Sequence, residues 1–290
     1  MKKGIMFLLS LALIIGLAAC SNSNQNDKQT KKTTKKGEMK IGEMMYENKT
    51  HIFPIITKSS SDGLDDDSYI DRYIVTKNGK MKVYMESDAS ALQIKDIADL
   101  SNKELLKEIK MSDKADFNVK KRELISNKKN NLKDVESTIE TGKDTAVVSI
   151  TKDKSPKEMK PILEKTIKKL EKQKYKAPEW KDVKITASSD NKEGVNVEKI
   201  PTARNFNFAK DNIEGDDTTD TTKSMSFISA MQPQPFGSND SIYAGLANEE
   251  KNSDSDDYDN APYIITKVSD KVQTVYMDKN SDPNIEKTNK

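Results

Sequence analysis

Short apolar segments bounded by turn residues recur along the chain and predict β-strands. The clearest pair is Tyr73–Lys77 and Lys80–Met85, separated by Asn78-Gly79. Asn-Gly favours a two-residue hairpin turn because both turn positions need positive φ. Pairing Lys77 with Lys80 sets Tyr73 opposite Tyr84. One face of this hairpin is then expected to carry Ile74, Met81 and Val83.

A similar pattern occurs near the C-terminus. Tyr263-Ile-Ile-Thr-Lys267 and Val275-Tyr276-Met277 differ from the first pair at one of eight matched positions, and Phe53–Lys58 is a partial third copy. The pattern predicts a second hairpin and an internal duplication. Convergent strand composition is the alternative, because Ser149–Lys152 ends in the same way.

Helical spacing governs the middle of the chain, about 90–178. Ser101 with Glu104 and Ser155 with Glu158 match the capping box, which marks helix starts. Apolar residues from Met159 to Leu170 then keep a helical period, and a more polar helix is predicted before Gly142. Pro161 complicates the first turn of the helix that begins at Ser155, and Pro178 is expected to end the helical run.

Further segments complete the predicted order of elements. Ranges 144–152 and 183–200 predict a strand and a hairpin, 205–208 and 225–230 are weaker strand candidates, and 211–220 and 232–237 read as loops. Strands, helices and strands in this order favour an α+β fold: a mainly antiparallel sheet with a helical insertion.

Composition changes this picture by predicting polar segments around the folded part. Hydrophobic residues make up 34% and charged residues 33%, between the values typical of globular and of disordered chains. We expect a flexible Lys-rich tether at 20–40, an α+β ectodomain at 41–283 and a disordered tail at 284–290. The tether is either a solvated spacer or a contact for anionic lipid or wall polymer.

The first twenty residues carry an export signal. Lys2 and Lys3 precede an apolar run from Ile5 to Leu17, which is too short to span a bilayer comfortably. Leu17-Ala18-Ala19-Cys20 resembles the lipobox of bacterial lipoprotein precursors, and the likeness covers the leader alone. The resemblance implies a signal peptide 1–19, cleavage between Ala19 and Cys20, and a diacylglyceryl group on the Cys20 sulfur, with N-acylation of Cys20 left open.

This leader predicts a lipid-anchored protein on the extracytoplasmic face of the cell membrane, since two acyl chains give stable attachment. An ordinary secreted protein is the alternative. Cys20 is the only cysteine, so a lipidated chain has no disulfide. The leader also accounts for the net charge: of 49 Lys+Arg, it holds Lys2 and Lys3, which leaves 47 against 47 Asp+Glu. This neutral balance gives no reason to expect nucleic acid as a partner.

Motifs for catalysis are scarce, and no enzyme activity or dissociable cofactor is predicted. The sole histidine, His51, lies in a strand-like segment, and no phosphate-binding glycine loop occurs. One histidine and a lipidated cysteine do not make a zinc site. Two acidic runs, 62–67 and 254–259, leave calcium open beside the simpler interpretation as solvated loops.

Tyrosines of the two predicted hairpins form the candidate binding surface: Tyr73, Tyr84, Tyr263 and Tyr276. Such a face would suit a peptide or glycan, but sheet tyrosines more often serve packing. The favoured function is a non-enzymatic lipoprotein that contacts a wall polymer, protein or peptide. The alternatives are solute capture for a transporter, which usually uses two α/β lobes, and a secretion foldase.

Overall fold

The computed structural model describes residues 34–58, 63–87, 91–143, 154–189, 196–210, 224–248 and 261–286. Helices and strands are both well represented, which confirms the α+β class. The elements in chain order are β1 (Glu38–Lys40), α1 (Ile41–Met45), β2 (His51–Lys58), β3 (Ile70–Lys77), β4 (Lys80–Met85), α2 (Ile94–Ala98), α3 (Asn102–Thr141), α4 (Pro156–Lys172), β5 (Lys181–Asp182), β6 (Thr186–Ser189), β7 (Asn196–Pro201), β8 (Ser224–Phe227), β9 (Ser229–Phe236), β10 (Ser241–Ala247), β11 (Ala261–Lys267) and β12 (Thr274–Tyr276).

A seven-stranded antiparallel sheet organises the described part of the chain. Its strand order is β5-β4-β3-β2-β11-β10-β9. A three-stranded antiparallel sheet, β6-β7-β8, and a parallel pair, β1-β12, accompany it. The mainly antiparallel sheet therefore agrees with the prediction.

The large sheet buries apolar side chains on both faces. Ile74, Val83 and Ile264 point into one layer, which also holds residues of α1, of the small sheet and of the β1-β12 pair. Val75 and Ile265 point into the opposite layer, which α2 and the start of α3 cover. Strands covered on both faces read as nearly continuous apolar runs, as β3 and β11 do.

One long helix replaces the two predicted in the first half of the helical region. α3 runs for 40 residues from the Ser101 capping box to Gly142, which adopts a φ of 69° at the C-cap. A helix of this length extends about 60 Å. Its first turns pack on the sheet through Leu105 and Ile109, and its second half packs on α4, where Val135 contacts Met159 and Leu163.

The Asn-Gly hairpin is confirmed in register and turn. Tyr73 pairs with Tyr84, Lys77 pairs with Lys80, and Asn78 and Gly79 have φ of 52° and 66°. The prediction of a second hairpin is wrong. β11 pairs with β10 and β2, whereas β12 pairs in parallel with β1. β3 and β11 flank β2 in the same direction and meet the same two buried layers, which favours the same apolar pattern in both strands. Internal duplication stays a prediction.

Several boundaries also differ from the prediction. The folded part already begins at β1, where Met39 is buried and Lys40 pairs with Asp282 at 2.6 Å, so the tether cannot extend to residue 40. Ile285 is likewise buried, so residue 284 does not start a free tail. Range 232–237 belongs mostly to β9, an edge strand where proline is tolerated.

Some of the remaining predicted segments are confirmed by the structure and others are wrong. β6 and β7 form the predicted hairpin, and β8 and β9 account for 225–230. Residues 205–208 are not a strand, because Phe206 and Phe208 pack on Phe117 of α3 instead. Segments 144–152, 190–194 and 211–220 lie wholly or almost wholly outside the described residues.

Candidate functional site: a basic cleft

The predicted tyrosine surface does not exist as a surface. Tyr73, Tyr84 and Tyr263 are buried together in the layer beneath α2 and α3. Tyr276 is 45% exposed, but it lies on β12, outside the large sheet. Alternation along β3 and β11 puts their tyrosines on the helix-covered face, so these side chains serve packing.

The predicted lipidation site, Cys20, and the cleavage position after Ala19 lie outside the described residues, so lipid attachment stays a prediction. None of the helices between residues 34 and 286 that the structure describes is long and apolar enough to cross a membrane.

A large open cleft lies beside strand β4. It has a volume of about 1290 Å³ and runs between two stretches of extended chain, residues 172–184 and 201–207. Met81, Val83 and Phe206 contribute its apolar surface. Clefts of this kind, mainly apolar with a few placed polar groups, are where ligands usually bind.

Basic side chains dominate the rim of this cleft. Two acidic residues, Glu179 and Asp182, accompany six basic ones: Lys172, Lys174, Lys176, Lys181, Lys184 and Arg204. The lysines are all exposed. A low-dielectric wall beneath like charges concentrates their field, so the cleft favours a negatively charged ligand.

Arg204 holds the two walls of the cleft together. Its Nη2 donates to Asp113 Oδ2 at 2.9 Å and to the Lys176 carbonyl oxygen at 2.9 Å, and its Nε donates to Asp113 Oδ1 at 3.1 Å. The Asp113 carboxylate also accepts from the Tyr175 hydroxyl and from the Met85 backbone N–H. A buried pair with all its hydrogen bonds made fixes geometry, so Arg204 acts as a brace and not as a free cation.

The junction with α4 is equally well anchored. Lys121 Nζ donates to the carbonyl oxygens of Glu171 and Gln173, at 2.9 and 2.8 Å, and so caps the end of α4. The Gln173 side chain bonds the backbone of Phe206, Asn207 and Ala209. These bonds join the first wall to the second, and the cleft therefore rests on a rigid frame.

Trp180, the only tryptophan of the chain, stands in sequence between the lining residues Glu179 and Lys181 but does not itself line the cleft. Its ring is 45% exposed, and Lys82 Nζ lies 4.9 Å from the ring centroid.

Comparisons with protein family models, with characterised proteins and with solved structures found no match. The functional argument therefore rests on the cleft.

Two other groups of titratable residues do not form open sites. Glu198 and Asp278 are 0% and 1% exposed, and the Asp278 backbone N–H donates to Glu198 Oε2 at 3.1 Å. Burial raises the pKa of both carboxyls, that of Asp278 to about 6. A carboxyl pair enclosed in the core has no access to a substrate, so we assign it to stability.

The sole histidine and the first acidic run have structural partners. His51 is buried on β2 with Nε2 2.9 Å from Glu47 Oε2. Asp65 bonds Ser68, Asp66 accepts from the Gly237 N–H, and Asp67 pairs with Lys95. Within the described ranges, no group of three potential ligands could hold a metal ion; Asp62 of the first run and the whole of run 254–259 lie outside these ranges.

The sequence contains a signal for the cleft that its motifs did not reveal. Residues 165–184 hold eight lysines against three acidic residues. As a linear pattern this reads as the solvated side of a helix followed by a loop. The fold gathers five of these lysines, those from Lys172 to Lys184, around one concavity. The linear pattern does not show that arrangement.

Proposed function

We propose that this protein is an extracytoplasmic, membrane-anchored binding module without enzymatic activity, and that its cleft holds an anionic ligand. The observation that carries the proposal is the cleft itself, with an apolar floor, a braced frame and a surplus of exposed lysines. Cys20 and its leader support the anchored location.

The dimensions favour part of an extended ligand over a small enclosed solute. A volume of about 1290 Å³ exceeds the roughly 300–1,000 Å³ common for small-molecule pockets. One large antiparallel sheet with two small sheets, as seen in the described residues, also differs from the two α/β lobes expected of a solute-capture lipoprotein. A binding role is thus favoured over delivery to a transporter.

The test uses isothermal titration calorimetry with tripolyphosphate as the anionic probe and a neutral oligosaccharide as its counterpart. We expect a saturable binding response with the anion alone. Lys174→Glu combined with Lys176→Glu should weaken binding by at least about thirtyfold, because two lysines at roughly 1 kcal/mol each contribute about 2 kcal/mol and the reversed charges add repulsion.

The matched control reverses two exposed lysines on the helix that covers the opposite face of the sheet, Lys107→Glu with Lys110→Glu. This control has the same net charge as the cleft variant and should bind as the wild type does. Equal losses in both variants would indicate nonspecific attraction, and the absence of any response in a folded wild type would refute the proposal.

A further inference from the structure

Helix α4 carries a second basic groove. It is shallow, has a volume of about 300 Å³, and is lined by Pro161, Glu164, Lys165, Lys168, Lys169 and Lys172. The helix buries Met159, Leu163 and Leu170 on its other side. The lysines therefore form the solvent-facing stripe of a helix that the core holds in place.

This groove and the cleft adjoin at Lys172. Lys172 lines both of them, because α4 ends there and the extended wall of the cleft begins at the next residue. Lys165, Lys168 and Lys172 follow one another at helical spacing, and seven residues of helix cover about 10 Å. The lysine row thus lengthens the cleft along one direction.

The lysines of the groove lack carboxylate partners among the described residues. Two ion pairs, Lys160 with Glu136 and Lys129 with Glu171, connect α4 to α3 at other positions. Like charges three and four residues apart on a helix repel one another. Bound anions along the stripe would relieve that repulsion.

We infer that the ligand is a linear phosphate polymer that occupies the cleft and the α4 groove together. This inference rests on the proposed function and names its ligand class. An ammonium group binds phosphate as a point charge, whereas the forked guanidinium offers two parallel hydrogen bonds to carboxylate and phosphate alike. Arg204, the one arginine among the described residues that line the cleft, is already engaged by Asp113. A flat lipid surface cannot enter the cleft.

The test compares tripolyphosphate with long-chain polyphosphate, using the full-length protein in neutral detergent. The variant is Lys165→Gln/Lys168→Gln/Lys169→Gln, and the control is Lys103→Gln/Lys107→Gln/Lys110→Gln on α3. We expect the variant to bind tripolyphosphate as the wild type does but to lose at least about tenfold in affinity for the long chain. The slope of log K against log salt should fall by about two for three lysines.

Each outcome decides the inference. The Lys-rich tether is identical in all variants, so a difference confined to the α4 variant comes from the groove. If that variant keeps wild-type affinity for long chains while tripolyphosphate still binds, the polymer inference fails and the anion-binding proposal stands. Failure of tripolyphosphate to bind refutes the proposed function. Tighter binding to poly-glutamate or to anionic vesicles overturns the choice of a phosphate polymer.

Discussion

The carboxyl groups of Glu198 and Asp278 meet inside the protein, where water does not reach either side chain. Glu198 Oε1 and Asp278 Oδ1 have no N–H or O–H donor nearby in the described structure, while Asp278 Oδ2 accepts from the Gly42 N–H at 2.7 Å. A proton held by one carboxyl can bridge to the other. The pair thereby joins β7, the chain after β12 and the start of α1.

This arrangement makes stability depend on pH in a definite direction. The folded pKa of both groups is raised, first by burial and, for Glu198, next by the negative charge of Asp278. The unfolded chain releases these protons near pH 4, whereas folded Asp278 keeps its proton to about pH 6. The contribution is therefore complete at acid pH and is lost as the pH rises through the folded pKa.

We expect Glu198→Gln to flatten this profile, because a glutamine N–H can donate permanently to Asp278. The wild type should lose about 2 kcal/mol of unfolding free energy between pH 4 and pH 7 relative to the variant. Urea denaturation across this range measures the difference. Lys40 and Asp282, which also face Asp278, are the same in both proteins.

The exposed Glu179→Gln is the control and should follow the wild-type profile. Parallel curves for the wild type and Glu198→Gln would show that the pair does not hold a proton.

At the scale of elements, turn motifs predicted strand pairing correctly where the two paired strands are adjacent in the sequence. The Asn78-Gly79 turn specifies the β3-β4 hairpin without help from the rest of the chain. β11 and β12 lack such a turn and pair with strands far away in sequence. The alternation of apolar residues shows which face of a strand is buried. It does not show which strand or helix packs against that face.

Gly79 also has a tertiary role that a turn motif does not reveal. At its φ of 66° any Cβ would lie 2.8 Å from Tyr46 Cδ1, and the Tyr46 hydroxyl donates to the Val183 carbonyl oxygen at 2.8 Å. Gly79→Ala should therefore cost at least about 1–2 kcal/mol of unfolding free energy. Thermal and urea melts measure the loss.

Asn78→Gly keeps a compatible residue at the other turn position and should change the unfolding free energy by less than about 1 kcal/mol. Equal stabilities for Gly79→Ala and the wild type would contradict this account of the turn.

For the whole molecule, the fold begins 18 residues after Cys20, at Glu38. A fully extended chain of this length reaches about 60 Å, enough to hold the cleft clear of a bilayer surface. The parallel β1-β12 pair then attaches the N-terminal strand to the C-terminal part of the chain. We therefore expect the proposed lipid anchor at Cys20 to be dispensable for folding.

We expect Cys20→Ser to move the protein from the membrane to the soluble fraction and to abolish incorporation of labelled palmitate. Its melting curve, measured on the soluble protein, should match that of the wild type, because β1 begins well after the substitution. Continued labelling with palmitate would remove the lipid anchor at Cys20, whereas a lower melting temperature would place the leader segment in the fold.

The sequence by itself determined the elements whose signals are local: the Ser101 and Ser155 helix starts, the Asn-Gly hairpin and the α+β class. The stability of a helix cap or a two-residue turn depends on residues that are close together in the sequence. A linear pattern therefore predicts these elements. The linear pattern also led to the wrong prediction that the hairpin tyrosines form a binding surface. Alternation along a strand does not distinguish a sheet face covered by helices from an exposed one.

Only the tertiary structure decided that Tyr73 and Tyr263 lie in the core and that the lysines of 172–184 surround one cleft. Contacts such as those of Arg204 with Asp113 and with the Lys176 carbonyl join residues far apart in the chain. Which side chains meet depends on how the layers stack, and that is a property of the folded chain as a whole.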